Sequence, residues 1–363
     1  MSDLDWNPLH GVPSYPAERY AVLADRIGGI LHSRNDILLV QAEAVVALEA
    51  AAVSLARPGL SALNIITSPY GGWFGQWLRR GGAAVADIVA EPGLPVEIER
   101  VAKALQTPKI DVLALVHAES ASGILNPLPE ILALARARGI VTVVDAVASV
   151  GGHGLDVDDL GIDIAVIGPQ KALGGPVGLS ALSVSGRAWD LILSDGAPRD
   201  SILSLADLKT WIDGGRRGLA GTPAPLEFFA LETALDRIEA EGLENVVARH
   251  ALAASATRAG LAALGARAWV PAAQASNLVT AVPLPEALAP AALIAAAGQL
   301  GVELAEGVGT APVGLVRLNH TGSRAAFQTV LSNVVAYGAA LRQAGHPSDI
   351  SAASEAITAA YSR

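Results

Sequence analysis

Apolar and polar positions along the chain follow two rhythms, and the two take turns. Near the start, Ala21, Leu23, Ile27, Ile30 and Leu31 recur at helical spacing and predict a helix after Pro16. A strand is predicted over Asp36–Val40, followed by Gln41-Ala-Glu-Ala and an Ala-rich helix over Val45–Leu55. Next come a strand at Ala62–Thr67, an aromatic and Gly-rich loop over Ser68–Gln76, and a helix toward Arg80. Uniformly apolar runs at Val112–Val116 and Val141–Val144 predict buried strands on either side of a helix over Leu128–Arg138. Two more strands, Ile162–Ile167 and Leu179–Val184, flank a loop crowded with glycine. Strands that alternate with helices predict an α/β fold with a mostly parallel, doubly wound sheet. Ligands of such sheets bind outside the carboxyl ends of the strands, here the loops after Val40, Thr67, Val116, Val144 and Ile167.

From Pro225 a long helix through Phe229, Leu231, Leu235 and Ile238 leads into a smaller α/β domain. The expected division is 1–238 for the large domain and 239–363 for the small one, with 1–35 partly shared. The small domain reads as a helix over Val246–Leu264, a strand, a helix over Pro290–Leu300, a strand over Gly314–Leu318 and a helix over Ser323–Ala344. Pro271–Pro290 reads as a connection and the tail from Ser348 as frayed.

Composition sharpens this picture. Apolar residues make up 52% of the 363 positions and charged residues only 17%, so much surface is expected to be covered by a second copy, as a homodimer or homotetramer. The net charge of −10 with no basic cluster excludes the electrostatic footprint of a nucleic-acid binder. No cysteine is present, which removes disulfides, thiolate metal ligands and a thiol nucleophile. The first residues lack the pattern of a signal peptide, and no apolar stretch reaches membrane-spanning length, so a cytoplasmic enzyme with small-molecule substrates and no membrane partner is expected. His117, His153 and His320 show no metal-ligand spacing, and no strand is followed by Gly-x-Gly-x-x-Gly.

Two residues carry the chemistry. Asp145 ends the run Ile140-Val-Thr-Val-Val, and Lys171 stands 26 residues later in Gly168-Pro-Gln-Lys-Ala-Leu-Gly-Gly-Pro. An acid at a strand end can pair with a pyridinium nitrogen, and a lysine at the next strand end can form a Schiff base with an aldehyde. Either alone reads equally as a helix-capping acid or a surface charge. A lysine among glycines and apolar residues is, however, partly desolvated, which lowers its pKa and makes it a nucleophile.

His117-Ala-Glu-Ser-Ala-Ser-Gly, Val144-Asp-Ala-Val-Ala-Ser-Val-Gly-Gly, Gly161-Ile-Asp and Gly168-Pro-Gln-Lys-Ala-Leu-Gly-Gly-Pro-Val-Gly together resemble the class V aminotransferases of fold type I, nearest the alanine–glyoxylate branch. The resemblance runs from about residue 18 to 340. It implies that Lys171 bears the Schiff base and moves the proton, and that Asp145 holds the pyridine nitrogen protonated. It places Phe74, in Gly72-Trp-Phe-Gly, against the cofactor ring, with Ser120 bonded to it and Val147 beside it. Arg317, in Gly314-Leu-Val-Arg-Leu-Asn-His-Thr-Gly, matches the arginine that grips the substrate carboxylate, a task suited to a planar fork. Cysteine desulfurases share the fold but need the cysteine that this chain lacks.

The chain departs from the common pattern where the phosphate of pyridoxal 5′-phosphate should sit. Glu43-Ala-Val-Val-Ala-Leu-Glu-Ala-Ala has an acid in place of the phosphate-binding serine, and Leu219 stands where a tyrosine is expected before Thr222-Pro223. Gln170 and Thr222 remain, the latter expected to reach a neighbouring subunit's site. A carboxylate beside a phosphate dianion is repulsive. One small branch, the pyridoxamine–pyruvate transaminases, shares this substitution and acts on unphosphorylated vitamin B6. Gly186-Arg-Ala-Trp, Ala197-Pro-Arg-Asp-Ser-Ile-Leu-Ser and Ala248-Arg-His-Ala-Leu extend the likeness. There Glu43 would accept a hydrogen bond from the free hydroxymethyl group, whereas the plainer reading makes it only a helix cap. Two features differ from that branch: its N-terminal Gly-Pro segment has no clear counterpart before His10-Gly-Val-Pro, and Val308 occupies the place of a second arginine. The resemblance therefore implies transfer from pyridoxamine and pyruvate to pyridoxal and L-alanine. The alternatives are an aminotransferase that uses pyridoxal 5′-phosphate with an alanine or serine donor and a glyoxylate or pyruvate acceptor, or a protein that only binds vitamin B6.

Overall fold

A computed structural model describes residues 11–106, 109–286, 288–308 and 314–362. The expectations placed on Met1–His10 lie outside them. In chain order the large-domain elements are α1 (Arg19–Ile30), β1 (Asp36–Val40), α2 (Ala44–Leu55), β2 (Ser61–Ile66), α3 (Pro69–Arg80), β3 (Ala84–Val89), α4 (Ile98–Ala104), β4 (Val112–Val116), α5 (Leu128–Arg136), β5 (Val141–Asp145), α6 (Val157–Leu160), β6 (Ile164–Ile167), β7 (Ser180–Val184), α7 (Gly186–Ile192), α8 (Leu205–Asp213) and α9 (Pro225–Glu241). Then follow α10 (Leu243–Ala263), β8 (Val279–Pro283), α11 (Pro290–Gln299), β9 (Ala305–Gly307), β10 (Leu315–Asn319), α12 (Phe327–Gln343) and α13 (Ile350–Tyr361).

The first seven strands form one sheet in the order β1-β7-β6-β5-β4-β2-β3. β6, β5, β4, β2 and β3 run parallel, while β7 is antiparallel to both β6 and β1. Every residue of β4, β5 and β7 is buried, as strands covered by helices on both faces must be. Ala47, Ala50, Ala51 and Ala52 let α2 lie close on that sheet. The second sheet, β8-β10-β9, is antiparallel and carries its own core of Leu261, Val282, Val316, Leu318, Val334 and Ile357. The large core runs from Tyr15 to Val246 and the small one begins at Ala253, so the two part within α10.

Three expectations are corrected. Ser68–Gln76 is the start of α3, not a loop, with Pro69 in its first turn. Its glycines are there for close packing: a Cβ on Gly71 would lie 2.8 Å from the Ile65 carbonyl oxygen, and one on Gly75 2.6 Å from Asn64 Nδ2. Pro271–Pro290 holds β8, because the apolar run Leu278–Val282 pairs with β10. The tail from Ser348 forms α13, seated on α10 and α12 by Ala353 and Ile357. Within 11–35, the buried side chains Tyr15, Tyr20, Leu23 and Ile27 lie in the large core. The pattern also missed β3, an edge strand in which only Ile88 is buried, along with α4, α7, α8 and β9.

Candidate active site

The carboxyl ends of the parallel strands deliver five of the predicted residues to one hollow. Glu43 comes from the turn after β1, Ser120 from the loop after β4, Asp145 from the end of β5, Val147 from just beyond it, and Lys171 from the loop after β6. Beside this hollow a groove of about 360 Å³ between the two sheets is lined by Ser120, Gln170, Lys171 and Arg317. Gly322, at φ +62°, seats the small domain on the lysine loop: a Cβ there would be 3.0 Å from the Lys171 carbonyl oxygen. Gly168 is held as tightly, since its Cβ would meet Val147 Cγ1 at 2.7 Å and Gln170 Oε1 at 2.6 Å.

Asp145 is buried, and its Oδ1 accepts the Val147 N–H at 3.0 Å. Burial pushes its carboxyl up to about 6, against the pull of the Val147 N–H and Lys171, with Glu43 adding to the rise. A bound pyridinium nitrogen would supply the compensating charge. Burial likewise lowers the Lys171 ammonium, Arg317 lowers it further, and Glu43 and Asp145 act the other way. A larger share of Lys171 is thereby free amine at neutral pH.

Glu43 is the N-cap of α2. Its Oε2 accepts the Val45 N–H at 2.8 Å and its Oε1 accepts from Gln170 Nε2 at 2.7 Å. A helix N-terminus is a ready anion site. In this chain its own carboxylate fills that place. Arg317 Nη1 donates to the Ser120 carbonyl at 2.6 Å, and its buried Nε has no partner among the described residues. Val308, 46% exposed, donates its N–H to the Ala121 carbonyl at 3.2 Å, one residue past Ser120.

Not every predicted residue lines the main hollow. Phe74 is 3% exposed and walls a smaller adjoining cavity that also touches Asp145, whereas Tyr70, one turn earlier on α3, lines both. Tyr70 carries no sequence signal of its own, because its glycine-rich segment has the pattern of a loop. Thr222 is exposed and stands apart from its own chain's hollow, in a segment tied down by Gln41, which donates to the Ala220 carbonyl and accepts the Ala224 N–H.

A sequence profile described as aminotransferase class-V matches residues 25–332. The chain belongs to the class V aminotransferase family. It is 36% identical over 346 residues to a pyridoxamine–pyruvate transaminase of Mesorhizobium japonicum, a match that covers 94% of this chain and 87% of that protein. The crystal structure of a pyridoxamine–pyruvate aminotransferase from Mesorhizobium loti superposes with a TM-score of 0.90 at 35% identity, covering 95% of this chain and 89% of that one. An alanine–glyoxylate aminotransferase of Callithrix jacchus is 33% identical over 262 residues, 70% of this chain and 63% of that protein. The fold of this aminotransferase is thus that of fold type I, and the family implies a cofactor of the pyridoxal phosphate type. No helix among the described residues is long and apolar enough to cross a membrane.

Buried imidazoles behind the site join its loops. His153 Nε2 accepts the Asn277 N–H at 3.1 Å, and His320 Nε2 faces the Thr280 hydroxyl at 3.0 Å while Nδ1 meets the Asn277 carbonyl at 2.8 Å. Burial holds His117 down to about 3, His153 to about 4 and His320 to about 3. Between these values and the ordinary 6.5 the unfolded chain binds protons that the folded chain refuses, so this contribution is present above about pH 6.5 and is lost on acidification. Asp145 and Glu119, both raised, act in the opposite sense over the same window. The imidazoles outnumber them, so acidifying from pH 6.5 toward 4 should lower stability, by on the order of 1 kcal/mol per pH unit in the middle of that range. Melting temperatures across that range check this, and a rise on acidification would contradict it.

Proposed function

We propose that this aminotransferase acts on unphosphorylated vitamin B6, taking pyridoxamine and pyruvate to pyridoxal and L-alanine. The observation that carries this is Glu43: the N-terminus of α2, where an anion would otherwise be drawn, is closed by a carboxylate bonded to Val45 N–H and Gln170. A phosphate dianion there meets like charge, whereas a hydroxymethyl group can donate a hydrogen bond to it. Similarity to the pyridoxamine–pyruvate transaminase of Mesorhizobium japonicum supports the same reading.

The hollow fits a pyridine ring. Val116, Ala148 and Val147 give apolar walls, Tyr70 an aromatic one, Asp145 an acid at its floor and Lys171 an amine at its mouth. When bound, the vitamin B6 ring supplies a conjugated system that accepts the electron pair left as Cα loses its proton. Asp145 keeps a proton on the pyridine nitrogen, which makes that acceptance favourable. Lys171 Nζ would hold the aldehyde form of the ring and, once the amine of the amino acid has displaced it, would serve as the free base that carries the proton between Cα and the ring's exocyclic carbon, in either direction. Arg317 holds the substrate carboxylate from the groove, and Ser120 and Gln170 orient the ring and Glu43. Phe74 backs the ring from the adjoining cavity. Thr222, with the exposed Ile202 and the part-buried Leu219 nearby, belongs to a face covered by a second copy, giving at least a homodimer.

Absorbance titration with pyridoxal and with pyridoxal 5′-phosphate tests the reading. Tighter binding of pyridoxal is expected. Tighter binding of the phosphate ester would make this an aminotransferase of the phosphorylated cofactor, with Glu43 a helix cap alone.

A further inference from the structure

Glu119 is wholly buried, lies on the wall of the main hollow, and has no role in the scheme above. Its hydrogen bonds fix where its proton must sit. Asn126 Nδ2 donates to Thr67 Oγ1 at 2.9 Å and to the Val116 carbonyl at 2.8 Å, while its Oδ1 accepts the Val96 N–H at 3.0 Å. Because Thr67 receives a proton from Asn126, its own hydroxyl proton turns to Glu119 Oε1, which accepts it. Glu119 Oε2 has no partner among the described residues. The Ser68 hydroxyl is near but makes no hydrogen bond of ordinary geometry.

The charged and titratable groups around Glu119 are Asp145 on β5 and Tyr70 on α3, with Glu43, Lys171 and Arg317 across the hollow. Two adjoining buried acids cannot both ionise cheaply. Asp145 has a backbone N–H and Lys171 to favour its charge, while Glu119 has hydroxyls only. Burial accordingly pushes Glu119 up to about 7, with Asp145 adding to the rise. Below about pH 7 the carboxyl holds its proton, and Oε2 has no hydrogen-bond partner of ordinary geometry among the described residues.

We infer that Glu119 is a further substrate-contacting residue, a neutral carboxylic acid that donates its Oε2 proton to an acceptor on the edge of the bound vitamin B6 ring. Asp145 thus takes a proton-bearing nitrogen and Glu119 offers a proton, so one floor presents an acceptor and a donor side by side. This rests on the hollow holding a vitamin B6 ring, whether phosphorylated or not.

Pyridoxine, an alcohol that cannot react with Lys171, is the probe, with its affinity measured by calorimetry from pH 6 to 8.5. Glu119→Gln keeps a donor that does not titrate, so it should bind within about threefold of wild type at pH 6. Above pH 7 the wild type should weaken relative to Glu119→Gln, by up to about 30-fold at pH 8.5, as Oε2 loses its proton. The titration of the free ligand is common to both proteins and cancels in the ratio, and Glu119→Gln in an Asp145→Asn background separates the coupled titration of Asp145. Glu119→Ala should bind at least about tenfold more weakly at pH 6 with an unchanged ligand stoichiometry. A ratio that stays constant with pH overturns the role of Glu119 alone. A wild type that binds no pyridoxine at any pH overturns the vitamin B6 reading and this inference with it.

Discussion

Replacing Lys171 by alanine should abolish turnover, by at least about 10³-fold, while leaving the fold and the ring site in place. Lys171 has two tasks, attachment of the aldehyde and carriage of a proton, and loss of a positioned proton carrier alone costs about 10²- to 10⁴-fold. Its amine is prepared by burial and by Arg317, which together outweigh the pull of Glu43 and Asp145 toward the charged form. Removing a desolvated lysine creates no unpaired partner, because no hydrogen bond of its Nζ holds the loop: the turn is closed by Gly174 N–H to the Lys171 carbonyl and Gly175 N–H to the Pro169 carbonyl. The melting temperature should therefore hold within a few degrees. The absorbance change of pyridoxal on Schiff-base formation should vanish, while pyridoxine still binds. Residual transamination near the wild-type rate would show that another group does the chemistry.

Glu43→Ser should shift the preference between pyridoxal and pyridoxal 5′-phosphate by about 10²- to 10³-fold toward the phosphate ester. Unit charges 4 Å apart interact by about 4 kcal/mol at an effective dielectric of 20, and part of that is screened at this half-buried carboxylate. Serine is the better choice than alanine because it is itself a favoured N-cap and can still accept the Val45 N–H. Cap loss and charge loss are separated in one variant: the melting temperature should stay, and only ligand preference should move. If the preference is unchanged, Glu43 is a cap and nothing more. Gln170 should then be freed from its 2.7 Å bond to Glu43 Oε1 without functional effect.

Asp145 and Lys171 were legible because Asp145 closes an apolar strand and Lys171 lies in the glycine-rich loop just past another, patterns visible within ten residues. Glu43 was legible as a charge in the wrong place. What joins it to Gln170 was not, since 127 residues separate them in sequence. The glycines of α3 misled in a definite way. Gly71 and Gly75 read as loop residues, whereas the constraint that selects them is the close approach of β2, which no local pattern records. That misreading hid Tyr70, whose ring reaches the hollow only because the helix starts at Pro69. Strand β3 was invisible because an edge strand with one buried residue has no apolar rhythm to show. Glu119 lay in plain view between Ala118 and Ser120, but its significance depends on Thr67, Asn126 and Asp145 converging from three other segments. A carboxyl three residues beyond a run of five buried apolar residues was the available signal.

The most direct test of the account is turnover without phosphate. Purified protein incubated with pyridoxamine and pyruvate, with no phosphorylated cofactor added, should form pyridoxal and L-alanine in equal amounts, and the Lys171→Ala protein should form neither. Absence of pyridoxal from the wild type, with amino transfer appearing only when pyridoxal 5′-phosphate and an amino acid are supplied, would contradict the account and return the chain to the phosphate-dependent members of its family.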